Sequence, residues 1–392
     1  MKSLLISGAY YPPQVGGLSQ FMSKLATTMG RERVCCLTGV SQNGRVSGRE
    51  DGPRVYRFPT AFSKSRYVRA VGRGAAIIQI MVQERPHVTM LGSIDEGQIA
   101  LTLRDWLKLP FIVFAAGNEI LDVIEEKWPK PMLALQTADR VVAISRYTAS
   151  FVERAGVDPS RIEIVYPGYD TNRFRPLEDR LELRQKLLGE RYRDQVILTV
   201  GNLVARKGHD TTIRSLPRLL QRVPDVTYLI VGDGPYRSQL ETLATELGVR
   251  NRVIFAGRLA DEDLPQLYAL CDVFVMPSRA QLDEKDVEGF GIVFLEANAC
   301  AKPVLGGRSG GVPEAIVDGV TGLLVDPNDS GELADAIARL LTDREFANRL
   351  GQQGWERAVN EFSWRRAADS VQGILDSVKR EQLTQRENDT CE

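Results

Sequence analysis

The chain has 392 residues, of which 43% are hydrophobic and 26% charged, a composition typical of a globular protein with room for two domains. Its 50 basic and 51 acidic side chains give a net charge of −1, which argues against a nucleic-acid partner. Five cysteines without a CxxC pair argue against a disulfide framework, and with only two histidines a His-rich metal site is excluded, so we expect no bound metal.

The apolar run at the N-terminus, Met1–Ile6, is too short for a signal peptide. The longest apolar stretch, Ala75–Val82, falls far below the roughly 20 residues that a membrane span needs. We therefore expect a cytoplasmic protein, which can still lie peripherally at the inner face of a membrane.

Short runs of branched apolar side chains alternate with segments of helical period through the first half of the chain. This alternation predicts a parallel sheet with helices on both faces, the α/β class. The predicted strands are Leu4–Ser7, Val34–Leu37, Val55–Phe58, Val88–Leu91, Phe111–Phe114, Arg140–Ile144 and Ile162–Val165.

A segment rich in proline and glycine, residues 166–176, interrupts this pattern and predicts a linker, so we divide the chain after residue 175. The alternation then resumes, and a final helical stretch is expected to end near Val378, before a flexible tail at 381–392. The predicted strands of the second half are Val196–Val200, Thr227–Val231, Arg252–Phe255, Val273–Met276, Pro303–Leu305 and Gly322–Val325.

Two loops that follow a predicted strand combine features of phosphate sites. In residues 11–17 (YPPQVGG), Gly16 and Gly17 precede a predicted helix, whose free backbone N–H groups can bind an anion. In residues 200–209 (VGNLVARKGH), Arg206 and Lys207 offer two cations to a diphosphate. A tight turn and a solvated basic turn are the respective alternatives.

A third loop, residues 286–297 (DVEGFGIVFLEA), pairs two carboxylates with a glycine-flanked helix start. Glu288 precedes the glycines, and Glu296 lies eight residues later in an apolar helix, where a carboxylate needs a partner or a ligand. The alternative for Glu296 is an exposed helix position. A glycine pair at 310–311 opens another short helix, for which an ordinary turn is an equal interpretation.

The order and spacing of these loops resemble retaining glycosyltransferase family 4 over nearly the whole chain. Residues 276–299 are most similar to the bacterial phosphatidylinositol mannosyltransferase branch. The matching segments are Gly16-Gly17, Ala138–Ser145, Gly168–Asp170, Lys207-Gly208, Glu288–Gly291 with Glu296, Gly310–Glu314 and Phe362–Trp364.

The resemblance implies the GT-B fold, two Rossmann-like doubly wound domains with an interdomain cleft. Residues 1–175 would form the acceptor-binding domain, and residues 176–362 the domain that binds the nucleotide sugar. A C-terminal helix at 363–380 would cross back to the N-terminal domain.

The resemblance also implies roles for individual residues. Glu296 would hold the ribose hydroxyls, Lys207 would neutralise the leaving phosphate, and Glu288 would lie beside the donor sugar. The backbone near the diphosphate and base would come from Gly16, Gly17, Gly289, Phe290, Gly291, Ile292, Val293, Arg258 and Leu259.

Two positions depart from the family pattern. In residues 114–119 (FAAGNE), Ala116 stands where the family often has a histidine that contacts the donor sugar. Asn202 replaces the usual arginine of the phosphate turn, and Arg206 could compensate by position. Neither His87 nor His209 fills the gap, and both are expected to be structural. The candidates for sugar or acceptor contact in this loop are Ala116, Gly117, Asn118 and Glu119.

The implied reaction is transfer of a hexose from a nucleotide-diphosphate sugar with retention of the α configuration. Negative charge would grow on the β-phosphate, where cations and backbone donors stabilise it, so neither a metal nor a cofactor is expected. The expected donor is GDP-mannose, with UDP-glucose or a related UDP-sugar as the competitor. The expected acceptor is a lipid-linked, glycan or small-molecule hydroxyl.

Residues 63–82 raise a separate hypothesis of membrane contact. A helix with interleaved basic and apolar side chains can lie on anionic lipid, whereas Gly72 and Gly74 weaken a helix and favour simple packing on the sheet. The basic residues are Lys64, Arg66, Arg69 and Arg73.

Other functions fit the sequence less well. A non-catalytic or impaired nucleotide-sugar-binding protein of the same fold would explain Ala116 and Asn202, and it is retained as the alternative. A nucleotide-sugar epimerase is disfavoured by the pair Glu288 and Glu296, and a nicotinamide dehydrogenase by the absence of GxGxxG.

Overall fold

The computed structural model describes residues 1–8, 11–12, 16–40, 52–59, 66–126, 128–178 and 181–389. The chain forms two compact units: unit 1 is Met1–Pro167 with Trp364–Glu392, and unit 2 is Gly168–Ser363. The division therefore falls after Pro167 and not after residue 175, because Tyr169 pairs with Ser363 and the Phe174 ring packs on Tyr268 within unit 2.

Unit 1 is built on seven parallel strands. They are β1 (Ser3–Ile6), β2 (Val34–Val40), β3 (Arg54–Pro59), β4 (Val88–Leu91), β5 (Phe111–Ala115), β6 (Arg140–Ala143) and β7 (Ile162–Ile164). Their order across the sheet is β3-β2-β1-β4-β5-β6-β7. The helices that follow these strands are α1 (Gly17–Met29), α2 (Arg66–Gln83), α3 (Gly97–Leu107), α4 (Asn118–Glu126), α5 (Pro129–Thr137) and α6 (Arg146–Arg154).

Unit 2 repeats this design with six parallel strands. They are β8 (Gln195–Val200), β9 (Val226–Val231), β10 (Val253–Gly257), β11 (Val273–Met276), β12 (Val304–Gly307) and β13 (Leu323–Val325). Their order is β10-β9-β8-β11-β12-β13. The helices are α7 (Leu181–Leu188), α8 (His209–Leu220), α9 (Arg237–Glu246), α10 (Leu264–Leu270), α11 (Ile292–Ala299), α12 (Val312–Ala315), α13 (Ser330–Thr342) and α14 (Arg344–Glu361).

Both sheets have the Rossmann order, in which the direction of strand addition reverses once. The reversal lies between β1 and β4 in unit 1 and between β8 and β11 in unit 2. Ligands of such sheets bind beyond the carboxyl ends of the strands at this switch point. The two-domain α/β prediction is confirmed, and each predicted strand is present with ends shifted by at most three residues.

The last helix, α15 (Trp364–Asp389), belongs to unit 1 and packs on α1. The Trp364 ring lies 5.5 Å from that of Phe21, centroid to centroid. The helix continues past Val378 because Gln382 donates to the Lys108 carbonyl and Glu381 pairs with Arg140. The predicted end of the helix near Val378 is therefore wrong, whereas the flexibility of the tail stays a prediction. Residues 390–392 lie outside the described residues.

Candidate functional site

The turn after β8 carries the two predicted cations of unit 2. Gly208 ends this turn with φ +72°, and a Cβ there would lie 2.2 Å from the carbonyl oxygen of Pro277. A glycine at this position therefore lets the turn dock against the chain that leaves β11, the neighbour of β8. Arg206 and Lys207 are thereby fixed at the switch point of unit 2.

Both cations contact Glu288, which arrives from the loop after β11. The Arg206 Nη1 atom lies 2.7 Å and the Lys207 Nζ atom 2.5 Å from the same Glu288 oxygen, Oε2. The Arg206 Nε atom lies 2.7 Å from Asp286 Oδ1. Two cations and two carboxylates therefore form a cluster with no net charge, which we call the switch-point quartet.

Three members of the quartet are largely buried, with side-chain exposures of 11% for Lys207, 12% for Glu288 and 19% for Arg206, while Asp286 is 30% exposed. Burial by itself raises the pKa of Glu288, but the combined attraction of Lys207 and Arg206 holds that pKa below its usual range. Burial lowers the pKa of Lys207, and the attraction of Glu288 opposes this shift. Because each buried charge has a partner, the cluster can persist in a poorly hydrated site.

The glycines around Glu288 allow two backbone segments to approach closely. Gly291 has φ +96° and begins α11, whose first turn contains Ile292 and Val293 and no acidic residue. Gly311 donates its N–H to the Glu288 carbonyl over 2.9 Å, and a Cβ on it would lie 2.0 Å from the Gly289 oxygen. The 310–311 pair therefore supports the Glu288 loop. Phe290 is buried and packs on Phe362, with ring centroids 5.7 Å apart.

Glu296 lies half-buried on α11, and its Oε2 atom accepts a hydrogen bond of 2.9 Å from the Tyr268 hydroxyl. Burial, together with the Glu296 charge, raises the pKa of Tyr268 well above its usual range, so the phenol stays protonated as a donor. The exposed-surface interpretation of Glu296 is therefore wrong. Its predicted contact with ribose stays a prediction.

The remaining predicted donor contacts of unit 2 are more open. The side chains of Asn202 and Arg258 are exposed, and Leu259 is half-buried. The Asn202 carbonyl lies 3.3 Å from Nε2 of His209, which is fully buried. His209 is therefore part of the core of unit 2, whereas the His87 side chain is exposed in unit 1.

In unit 1, the predicted phosphate loop is described at Gly16 and Gly17. Gly16 caps α1, and a Cβ placed on Gly16 or Gly17 would meet no atom of the described residues within 4 Å. Residues 13–15 of this loop lie outside the described residues. The predicted contact of the two glycines with the diphosphate stays a prediction.

In the loop that carries Ala116, a carboxylate from the same loop accepts hydrogen bonds from the loop backbone. The Oε1 atom of Glu119 accepts hydrogen bonds from the backbone N–H groups of Ala116, over 2.5 Å, and Gly117, over 3.2 Å. Burial raises the pKa of Glu119. Asn118 begins α4, so all four candidates for sugar or acceptor contact lie at the carboxyl end of β5.

Sequence reasoning missed several charged residues at these edges. Glu96, after β4, contacts the backbone at the switch point of unit 1, since a Cβ on Gly8 would lie 1.9 Å from its Oε1 atom. Asp286, which pairs with Arg206, was not predicted to have a role. In unit 2, Arg279 pairs with Asp210 over 2.8 Å. No motif singles these residues out, and only their position next to a strand end could have suggested them.

The basic segment at 63–82 is described only in part. Residues 63–65, which include Lys64, and the side chains of Arg66 and Arg69 lie outside the described residues. From Arg66 to Gln83 the segment is helical in spite of its glycines, and Ile78 is 67% exposed. Within the described ranges, no helix is long and apolar enough to cross a membrane. Contact with a membrane surface stays a prediction.

Comparison with known proteins agrees with this architecture. Residues 15–173 match Glycosyltransferase Family 4, and residues 180–357 match Glycosyl transferases group 1. Anabaena HepE in complex with UDP superposes with a TM-score of 0.78 at 23% identity, over 96% of this chain and 100% of that one. Sucrose-phosphate synthase from Thermosynechococcus elongatus gives 0.78 at 20% identity, over 96% and 99%. These two structures support the GT-B fold.

Two bacterial relatives are similar in sequence. A Corynebacterium glutamicum protein named GDP-mannose-dependent monoacylated alpha-(1-6)-phosphatidylinositol monomannoside mannosyltransferase is 38% identical over 97% of this chain and 99% of its own length. A Mycolicibacterium smegmatis phosphatidylinositol monomannoside mannosyltransferase is 44% identical over 58% of this chain, and the match spans only 59% of that protein.

The two family models and the Corynebacterium glutamicum relative place the chain among the glycosyltransferases. The chain belongs to glycosyltransferase family 4 and resembles its phosphatidylinositol mannosyltransferase branch.

Proposed function

We propose that the chain is an α-retaining, metal-independent mannosyltransferase that uses GDP-mannose, with UDP-glucose as the competing donor. The observation that carries this proposal is the switch-point quartet, which sets Lys207 and Arg206 beside Glu288 where a Rossmann sheet binds its ligand. The donor assignment is supported by the named donor of the Corynebacterium glutamicum relative.

In the proposed reaction, the bond between the sugar C1 and the β-phosphate oxygen breaks while the acceptor oxygen forms a new bond to C1 on the same face. The departing phosphate oxygen takes the proton of the acceptor hydroxyl, so no separate base is needed. Negative charge that develops on this oxygen is stabilised by Lys207 and by the backbone N–H groups at the start of α11.

Arg206 has a different part in this proposal. Its guanidinium is engaged by Asp286 and Glu288, so we assign it the positioning of the Glu288 carboxylate. This arrangement argues against the expectation that Arg206 takes over from the arginine replaced by Asn202. Turnover would then depend on Lys207 and on the backbone donors, with one cation fewer than the family pattern has.

We further propose that the acceptor contains a phosphorylated inositol. The mannosyltransferase relatives are named for phosphatidylinositol mannosides, and a Mycobacteroides abscessus relative, 33% identical over 88% of this chain, is named D-inositol 3-phosphate glycosyltransferase. A lipid-linked acceptor would call for peripheral contact with a membrane, whereas a free inositol phosphate would not.

The proposal is tested by calorimetric titration with GDP, GDP-mannose, UDP and UDP-glucose, followed by transfer assays on phosphatidylinositol vesicles and on free inositol phosphates. We expect guanine-nucleotide binding and a product that an α-mannosidase cleaves, with the same rate in excess EDTA. Preference for UDP would replace GDP-mannose by a UDP-sugar as the proposed donor. A β-linked product would refute retention of configuration. Loss of activity in EDTA would refute metal independence. Binding without transfer to any acceptor would refute the enzymatic assignment.

A further inference from the structure

A half-buried arginine of β3 lies at the carboxyl edge of the unit 1 sheet. The Nη2 atom of Arg57 donates to the Pro12 carbonyl over 3.0 Å, and its Nη1 atom donates to the Gly39 carbonyl over 3.4 Å. Pro12 belongs to the loop between β1 and α1, and Gly39 to the end of β2. Arg57 therefore connects three segments beside the switch point of unit 1.

Among the described residues, the groups around Arg57 do not compensate its charge. Burial raises the pKa of the neighbouring Tyr11 phenol, and it raises the pKa of the Cys36 thiol to about 12, so both neighbours are neutral at pH 7. Within the described part of the chain, Arg57 donates to backbone carbonyls, which carry no net charge. Burial lowers the pKa of Arg57 itself, the sign of a cation held away from water without a counter-ion.

The other arginine of β3, Arg54, differs from Arg57 in having an acidic partner. Arg54, three residues earlier, has a carboxylate partner, with its Nη1 atom 2.7 Å from Oε1 of Glu84. Arg57 has five N–H donors, of which the two carbonyls engage two. The described residues supply no further acceptor and no counter-ion to this guanidinium, and its planar shape fits a phosphate in a two-pronged hydrogen bond.

We propose that Arg57 binds the phosphate group of the acceptor and thereby selects a phosphorylated polyol over the neutral one. The identity of the acceptor as an inositol phosphate rests on the proposed function. The same phosphate chemistry is present in a free inositol phosphate and in a phosphatidylinositol headgroup, and unit 1 is the half of the chain predicted to bind acceptor.

The test measures binding of myo-inositol 1-phosphate and of myo-inositol to the full-length protein in saturating GDP. We expect the wild type to bind the phosphate at least tenfold more tightly, and Arg57→Gln to remove this preference, because a hydrogen-bonded ion pair of this kind contributes about that factor. Arg57→Lys should keep part of it, since the charge remains while the planar fork is lost. Arg54→Gln is the matched control from the same strand and should bind as the wild type does.

Each outcome decides between assignments. Retention of the preference in Arg57→Gln, or absence of any preference in the wild type, overturns the proposal. A fall in GDP affinity in Arg57→Gln, with thermal unfolding unchanged, would instead move Arg57 to the donor phosphate and also overturn it. Failure of the wild type to bind GDP refutes the proposed donor, and the inositol comparison without nucleotide still tests Arg57. Vesicles with and without phosphatidylinositol then separate the headgroup from the free phosphate.

Discussion

At the switch point of unit 2, every charge of the quartet has a partner of opposite sign and the glycines contact neighbouring backbone. At the corresponding edge of unit 1, Gly16 and Gly17 have no close neighbour among the described residues, and Arg57 donates to neutral carbonyls. Six strands of each sheet follow the same order, so topology alone does not produce this difference. The difference between the two edges comes from the loops, because their glycines and charges determine how closely the backbone packs.

This contrast suggests how the two units would divide the work. A closely packed, charge-balanced loop has one geometry and suits a ligand whose diphosphate must be held in a fixed position. An open loop with an unbalanced cation binds by charge and accommodates acceptors of different shape. Variants of unit 2 test its side of this contrast, and the Arg57 variants test the side of unit 1.

The largest expected effect is on turnover in unit 2. Replacing Lys207 with alanine removes a donor at the leaving phosphate, and kcat for transfer should fall about 10²- to 10³-fold. Lys186→Ala, at an exposed position of α7, is the control and should leave kcat unchanged. Steady-state kinetics measure both, and a fully active Lys207→Ala enzyme would remove this residue from the leaving group.

The next effect concerns the rigidity of the same loop. Gly208→Ala should lower the free energy of unfolding by about 3 kcal/mol, because the added Cβ would meet the Pro277 carbonyl in a left-handed conformation. Gly248 has φ +69°, but an added Cβ there would meet no atom of the described residues within 4 Å. Gly248→Ala should therefore lower the free energy of unfolding only by the backbone strain, about 1–2 kcal/mol. Denaturant titration compares the two, and equal losses would contradict close packing at Gly208.

Nucleotide affinity gives a smaller but more specific test. Glu296→Ala should weaken GDP binding about 10- to 100-fold, if the carboxylate accepts hydrogen bonds from ribose hydroxyls. Tyr268→Phe removes only the protein partner of Glu296 and should change the affinity far less. Glu246→Ala, exposed on α9, serves as the charge control. Unchanged GDP affinity in Glu296→Ala would exclude the ribose assignment.

The smallest effect is on the pH dependence of stability. Burial lowers the pKa of His209 to about 4, against about 6.5 in an unfolded chain, so stability present at pH 7 is lost as pH falls toward 4. Between pH 7 and pH 5 this residue should account for about 2 kcal/mol. Unfolding of His209→Gln should show a correspondingly weaker dependence over that range, and parallel curves for variant and wild type would show that His209 does not titrate there.

The strands could be predicted because short branched apolar runs between turn residues carry a local signal. The contact between Lys207 and Glu288 could not, since the two residues are 81 positions apart and meet only because β8 and β11 are neighbours. The sequence indicated that Lys207 and Glu288 matter, through the family resemblance, but not that they neutralise each other.

The two errors at the domain ends have a similar cause. Residues 166–176 look like a linker by composition, yet the ring of Phe174 is buried against Tyr268, which only the folded unit reveals. The end of α15 looks like a polar tail because single polar contacts, such as that of Gln382 with the Lys108 carbonyl, leave no periodic pattern.

The return of α15 to unit 1 has a consequence for synthesis on the ribosome. Phe21 on α1 packs against Trp364, which lies 343 positions later in the chain. At about 5–20 residues per second, the apolar face of α1 waits roughly 20 to 70 s for its covering helix. Unit 2 can complete its sheet during that interval, so unit 1 is the first to begin and the last to finish folding.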